Sequence, residues 1–151
     1  MITKGLFALM LAAGLFAVPA VAMSSASSNA PALVYKNAAC GCCEGYVAHL
    51  RTAGYSVKTV NLQQRALDRI MRRRGVTPSL AACHTMVIGG YTVEGHVPLA
   101  ALARLLAERP KIHGIALPGM PAGSPGMGGV KQGPFVIYVI GAEEPSVYAR
   151  I

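Results

Sequence analysis

Residues 33–62 read LVYKNAACGCCEGYVAHLRTAGYSVKTVNL, and the fold is decided here. Leu33 to Lys36 has the short apolar character of a strand, and Asn37 to Gly41 reads as a loop. From about Cys42 or Cys43 to Ala53 the apolar positions recur at helical spacing, with Cys43, Val47, Leu50 and Ala53 on one face. Gly54 follows as the glycine that commonly closes a helix. Tyr55 to Leu62 then alternates apolar and polar residues with the period of a strand. The stretch is a strand–helix–strand unit with three cysteines at its first turn.

Working outward, Gln63 to Arg74 is a basic amphipathic helix stopped by Gly75. His84 to Ile88 and Tyr91 to Glu94 flank Gly89-Gly90, the two-residue turn of a β-hairpin. Pro98 suits a first helical position, and Leu99, Leu102, Leu105 and Leu106 form the apolar stripe of a helix ending near Glu108. The order is β-α-β-α-β-β-α, an α/β pattern of thioredoxin-like arrangement. Beyond it, Leu117 to Gly129 (LPGMPAGSPGMGG) is too rich in proline and glycine for helix or strand. Phe135 to Ile140 is one added C-terminal strand, expected at an edge of the sheet. Residues 33–116 are therefore read as the thioredoxin-like domain, whose cysteines decide its chemistry. Residues 117–151 are read as a Pro/Gly/Met loop and a strand packing on the same domain.

The chain has 151 residues, 53% of them hydrophobic and 13% charged, with a net charge of +8. That hydrophobicity excludes a disordered chain, and its location explains its size. Lys4 precedes an apolar run from Gly5 to Val18, and Ala20-Val21-Ala22 has the small-x-small form of a cleavage site. Residues 1–22 are thus expected to be a secretory signal peptide cut after Ala22, with 23–32 as a linker. The product is expected to be exported, without stable membrane insertion after cleavage. Arg65, Arg69, Arg72 and Arg73 share a helical face opposite Leu67, Ile70 and Met71, the pattern of a solvated surface. No aromatic interleaving or recognition motif accompanies them, which argues against nucleic acid.

The chemistry lies in Cys40, Cys42, Cys43 and Cys83. Four cysteines in an exported chain first suggest disulfides. Three of them are crowded into Cys40-Gly41-Cys42-Cys43, however, where a cross-link would restrain little chain. Cys40 and Cys43 form a C-x-x-C at a helix start, where free N–H groups favour thiolates; that is the arrangement of a thiol–disulfide oxidoreductase. Cys42 adds a third sulfur, and Cys83 enters from the loop before the hairpin. Four such sulfurs suit soft Cu(I), or Zn(II) at a structural site. Cys83 also stands where a redox enzyme of this layout keeps its substrate-docking proline, which favours metal over disulfide exchange.

His96, in Glu94-Gly95-His96-Val97-Pro98, lies in a loop bordering the C-x-x-C and is a candidate ligand. His84 adjoins Cys83 and can help only if the strand begins after it, since neighbours in a strand face opposite ways. His49 lies about 10 Å along the helix from Cys42 and is read as surface. His113 has no supporting context. Met71 and Met86 fit core positions. Met120 and Met127 are large side chains in a Pro-Gly loop with no core pattern, and a thioether selects Cu(I) over Zn(II).

Cys40-Gly41-Cys42-Cys43, Cys83-His84-Thr85, Glu94-Gly95-His96-Val97-Pro98 and the two Pro-Gly-Met triplets together resemble the CopG-type periplasmic copper-resistance family. That family was formerly labelled a domain of unknown function. The resemblance spans about residues 33–128. It implies a thioredoxin-like fold holding several copper ions at Cys40, Cys42, Cys43 and Cys83, with His96, His84, Met120 and Met127 completing the site. It further implies a role in copper resistance and homeostasis. Its expected partners are copper ions and another periplasmic copper-handling protein. A copper-dependent oxidoreductase activity stays open beside simple binding.

Overall fold

The structure is a computed structural model and describes residues 31–151. The expected signal peptide, and the linker as far as residue 30, lie outside the described residues. Among the described residues no helix is long and apolar enough to cross a membrane.

The order begins as the periodicity requires: β1 (Ala32–Asn37), α1 (Gly41–Thr52), β2 (Val57–Leu62), α2 (Gln64–Arg73), β3 (His84–Ile88), β4 (Tyr91–Glu94) and α3 (Leu99–Glu108). A single 3₁₀ turn, Pro78–Leu80, leads into β3. Three strands follow: β5 (Gly114–Ala116), β6 (Val136–Ile140) and β7 (Val147–Arg150). All seven strands form one sheet in the order β2-β1-β3-β4-β5-β6-β7. Parallel pairing joins β1 to β2 and β4 to β5, and the remaining pairs are antiparallel.

The ending differs from the expectation of one added edge strand. The segment at Phe135 to Ile140 does form a strand, but β6 is interior, held between β5 and β7. Three-residue β5 has no period long enough to read. β7 (VYAR) is exposed at Val147 and Arg150, half-buried at Tyr148 and Ala149, and lacks an alternating apolar face. In α1 the buried residues are Cys43, Tyr46, Val47 and Leu50. Ala53, expected on that face, is the exposed C-cap.

The sheet is covered on both faces. Tyr46, Val47 and Leu50 of α1 and Ala101, Leu102 and Leu105 of α3 bury one face with Val34, Met86, Ile88, Val93, Ile115 and Ile137. Leu67 and Met71 of α2 cover the other with Ala116 and Ile140. A buried aliphatic side chain of this kind contributes about 1.5–3 kcal/mol. Alternation in β1 sends Ala32, Val34 and Lys36 to the α1 side. Lys36 thus completes an apolar row with a cation, directly beneath the start of α1.

Candidate metal centre

The C-terminal end of β1, the first turn of α1, the N-terminal end of β3 and the C-terminal end of β4 meet at one end of the sheet. Register brings them there: Lys36 pairs with His84, and Thr85 with Glu94. Cys40 is the extended N-cap of α1, and Cys42 and Cys43 lie in its first turn. The three sulfurs therefore sit at the end of the helix that carries its unpaired N–H groups. Cys83 precedes β3, so it is free of the strand's alternation and its side chain lies on the same side as that of His84, the first β3 residue. The sequence condition on His84 is thus met in a different way: Cys83, rather than His84, is the residue outside the strand.

Cys40 and Cys43 are joined as a disulfide, while Cys42 and Cys83 are free. Sγ of Cys42 is 3.4 Å from Sγ of Cys40 and 3.9 Å from Sγ of Cys83. The donor atoms of Cys40, Cys42, Cys43 and Cys83 all lie within 4.8 Å of one another, and so do those of Cys83, His84 and His96. Cys83 belongs to both groups.

Both imidazoles converge on that sulfur. His96 places Nε2 3.0 Å from Cys83 Sγ, and its Nδ1 donates to the Pro125 carbonyl at 2.7 Å. That bond puts the proton on Nδ1 and leaves the Nε2 lone pair facing the sulfur. His84 places Nδ1 3.3 Å from Cys83 Sγ, and its buried Nε2 has no hydrogen-bond partner. Burial, then His96 and the Lys36 cation, push His84 down to about 3, so it is neutral at physiological pH. Burial also lowers His96. The Cys83 thiol is pushed up to about 12 by burial and then by Cys42. With the His84 proton on Nδ1, that ring donates to Cys83 Sγ while the Cys83 S–H donates to His96 Nε2. His84 Nε2 is then left as a buried lone pair without a partner. Neutral imidazoles and crowded sulfurs are a donor set that a soft cation fits, because the cation displaces the thiol protons and takes the spare lone pairs.

Side chains that the sequence reading left aside hold this arrangement. Tyr46 is fully buried and donates its hydroxyl to Val97 O at 2.9 Å. Its ring packs against His84 and His96, with centroids 4.8 and 5.4 Å away. Buried Lys36 is paired with Glu44 at the start of α1. On the opposite side of the β3–β4 hairpin, Glu94 accepts from Ala82 N at 2.8 Å and from Thr85 Oγ1 at 2.7 Å, fixing the backbone just before Cys83. Burial pushes the Glu94 carboxyl up to about 7 against both hydrogen bonds. Gly95, at φ +75°, permits the approach of two loops, since a Cβ there would lie 2.5 Å from Leu117 O and 2.7 Å from Ala82 Cβ. Of these residues Thr85, Glu94 and Gly95 stand within motifs legible in the sequence, though without an assigned role, and Lys36, Glu44 and Tyr46 stand in none.

The Pro/Gly/Met loop is built into the site. Met127 N bonds Ser124 O at 2.9 Å, and buried Ser124 bonds Pro121 O through its hydroxyl at 2.7 Å. The turn presents the Pro125 carbonyl to His96 and lays Gly126 against Gly45 and Tyr46 of α1. The segment packs through its backbone at Pro125 and Gly126, whereas its methionine side chains follow no core pattern. Met120 is 51% exposed and Met127 half-buried. His49 and His113 are exposed.

Comparison with known proteins gives this geometry a context. A family described as "Protein of unknown function, DUF411" matches residues 80–127, the stretch from the loop before Cys83 to Met127. No curated protein matches. A solved structure titled "Copper resistance protein copG- Form 2" is 38% identical, with a TM-score of 0.71 over 81% of this chain and 98% of that one. A second, titled "Copper resistance protein copG- Form 1", is 37% identical, with a TM-score of 0.70 over 80% of this chain and 96% of that one. Likeness of this extent in both sequence and fold places the chain in the family of CopG copper resistance proteins.

Proposed function

We propose that the chain is a periplasmic copper-binding protein that contributes to copper resistance. It would hold Cu(I) as cargo on Cys40, Cys42, Cys43 and Cys83, with His96 and His84 as nitrogen donors. One observation carries this reading: Cys83 is common to an all-sulfur donor group and a sulfur–imidazole group. A thiolate has more than one lone pair, so a shared sulfur favours a cluster of several ions over one tetrahedral Zn(II). Filling the all-sulfur group requires the Cys40–Cys43 disulfide to take up two electrons, with two protons, from a thiol reductant. Met120 and Met127 would act as soft donors closing over the copper.

Reduced protein titrated anaerobically with Cu(I) against a chromogenic chelator tests this. More than one equivalent should bind. Cys83→Ser should remove ions from both groups and weaken the remaining affinity at least tenfold. Replacing Met120 and Met127 together by Leu should weaken Cu(I) and leave Zn(II) nearly unchanged. Purified protein carrying one Zn(II) and no copper would overturn the cluster.

The Cys40–Cys43 bond at a helix start favours a second reading, a periplasmic thiol–disulfide oxidoreductase. Rapid reduction of a disulfide substrate that survives Cys83→Ser would support it. Copper redox chemistry would instead require Cys83, since that reaction needs the loaded site.

A further inference from the structure

At the opposite end of the β3–β4 hairpin, roughly 20 Å along β3 from Cys83, lies a cavity of about 620 Å³. Arg72, Arg73 and Arg74 at the end of α2, Arg109 at the end of α3, and His113 line it, together with the Gly89-Gly90 turn. No aspartate or glutamate lines it. Among the described residues the ion pairs are Lys36–Glu44 and Arg104–Glu108, so none of these four guanidinium groups is neutralised by a carboxylate. The carbonyl end of α2 offsets about half a charge, far less than the three consecutive arginines beside it.

The cleft is open, with all four arginines and His113 exposed to solvent, and two of these side chains are held against their neighbours. Arg109 adopts φ 46° and ψ 52°, the left-handed region, at a helix end where glycine or asparagine is customary. A long side chain there costs about 1 kcal/mol. It nevertheless carries its guanidinium over the Tyr91 ring and towards Gly89 O, at the mouth of the hairpin turn. The His113 ring packs against Gly75 and Gly141, where a Cβ on Gly141 would collide with it. Four unneutralised guanidinium groups around one open cleft raise the positive potential there.

We propose that this cleft binds a compact phosphate-bearing anion. Guanidinium forks match pairs of phosphate oxygens. An extended acidic peptide is a poorer fit, because β3 and β4 are interior strands with no free edge to pair with. The phosphate is carried either by a small free molecule or by a lipid headgroup, and this site is independent of the sulfur centre.

The test uses the full chain at low ionic strength, with inorganic pyrophosphate as the free probe. Vesicles of phosphatidylcholine, with and without phosphatidylglycerol, are the lipid probe. Binding to either should weaken at least tenfold in Arg73→Gln and in Arg109→Gln, and should be unchanged in Arg104→Gln, whose side chain is paired with Glu108. The probe that binds identifies the source. In NMR of the unaltered protein, pyrophosphate should move the amide signals of Gly89, Gly90, Arg109 and His113, a readout that holds if a variant fails to fold. Binding of neither probe, binding retained by both variants, or shifts confined to other residues would overturn the site.

Discussion

Glu94 shows how much of the centre rests on residues with no donor role. Its carboxylate closes two hydrogen bonds that otherwise leave the Ala82 N–H and the Thr85 hydroxyl unpaired next to Cys83. Leaving a buried donor unpaired costs about 1–3 kcal/mol. Glu94→Ala is therefore expected to lower stability by about that amount, read from urea midpoints. Glu94→Gln, which still accepts from Ala82, should cost less than half as much. Equal stability of Glu94→Ala and the parent would mean that water replaces the carboxylate. The four cysteines are legible in the sequence because a thiol declares its chemistry by type and crowding. Tyr46, Glu94 and the Pro125 carbonyl are ordinary groups that acquire a role only through register and loop approach.

At the scale of elements, the contact between α1 and the Pro/Gly/Met loop is the one that sequence periodicity could not supply. A Cβ on Gly45 would meet Gly126 O at 2.8 Å, a backbone atom with little freedom to yield. Alanine favours a helix over glycine by about 1 kcal/mol, so Gly45→Ala should leave the helical circular dichroism intact. It should nonetheless push the turn outward and break the bond from His96 Nδ1 to Pro125 O. The observable is the slowly exchanging His96 imidazole proton in NMR, expected to vanish in the variant; its persistence would show that the loop is not held by this contact. Most elements through α3 were legible because their apolar residues recur with a helix or strand period and Gly54, Gly75, Gly89-Gly90, Gly95 and Pro110 punctuate them. β5 and β7 were not, being three and four residues long and defined by the partners they pair with. The interior place of β6 follows from β7, so one unreadable strand displaced another from the sheet edge.

For the whole molecule, the buried titratable groups around the centre set opposing pH dependences in the metal-free state. His84 titrates at about 3 when folded, below its ordinary 6.5. Its contribution is present above pH 6.5 and is lost as pH falls from there towards 3, because the unfolded chain takes up the proton first. His96, also lowered, acts in the same direction. Glu94 titrates at about 7 when folded, above its ordinary 4.5. Its contribution is present below pH 4.5 and is lost as pH rises towards 7, because the unfolded chain releases the proton first. Between pH 4.5 and 6.5 the carboxyl therefore cancels part of the gain from the histidines. Each unopposed proton corresponds to a slope of about 1.4 kcal/mol per pH unit. Glu94→Gln removes the opposing group and should convert a shallow profile over that window into one that climbs steadily with pH. Urea midpoints from pH 4 to 8 on metal-free parent and variant measure the difference. Parallel profiles would mean that Glu94 titrates alike in the folded and unfolded chains, and that its burial is relieved by solvent.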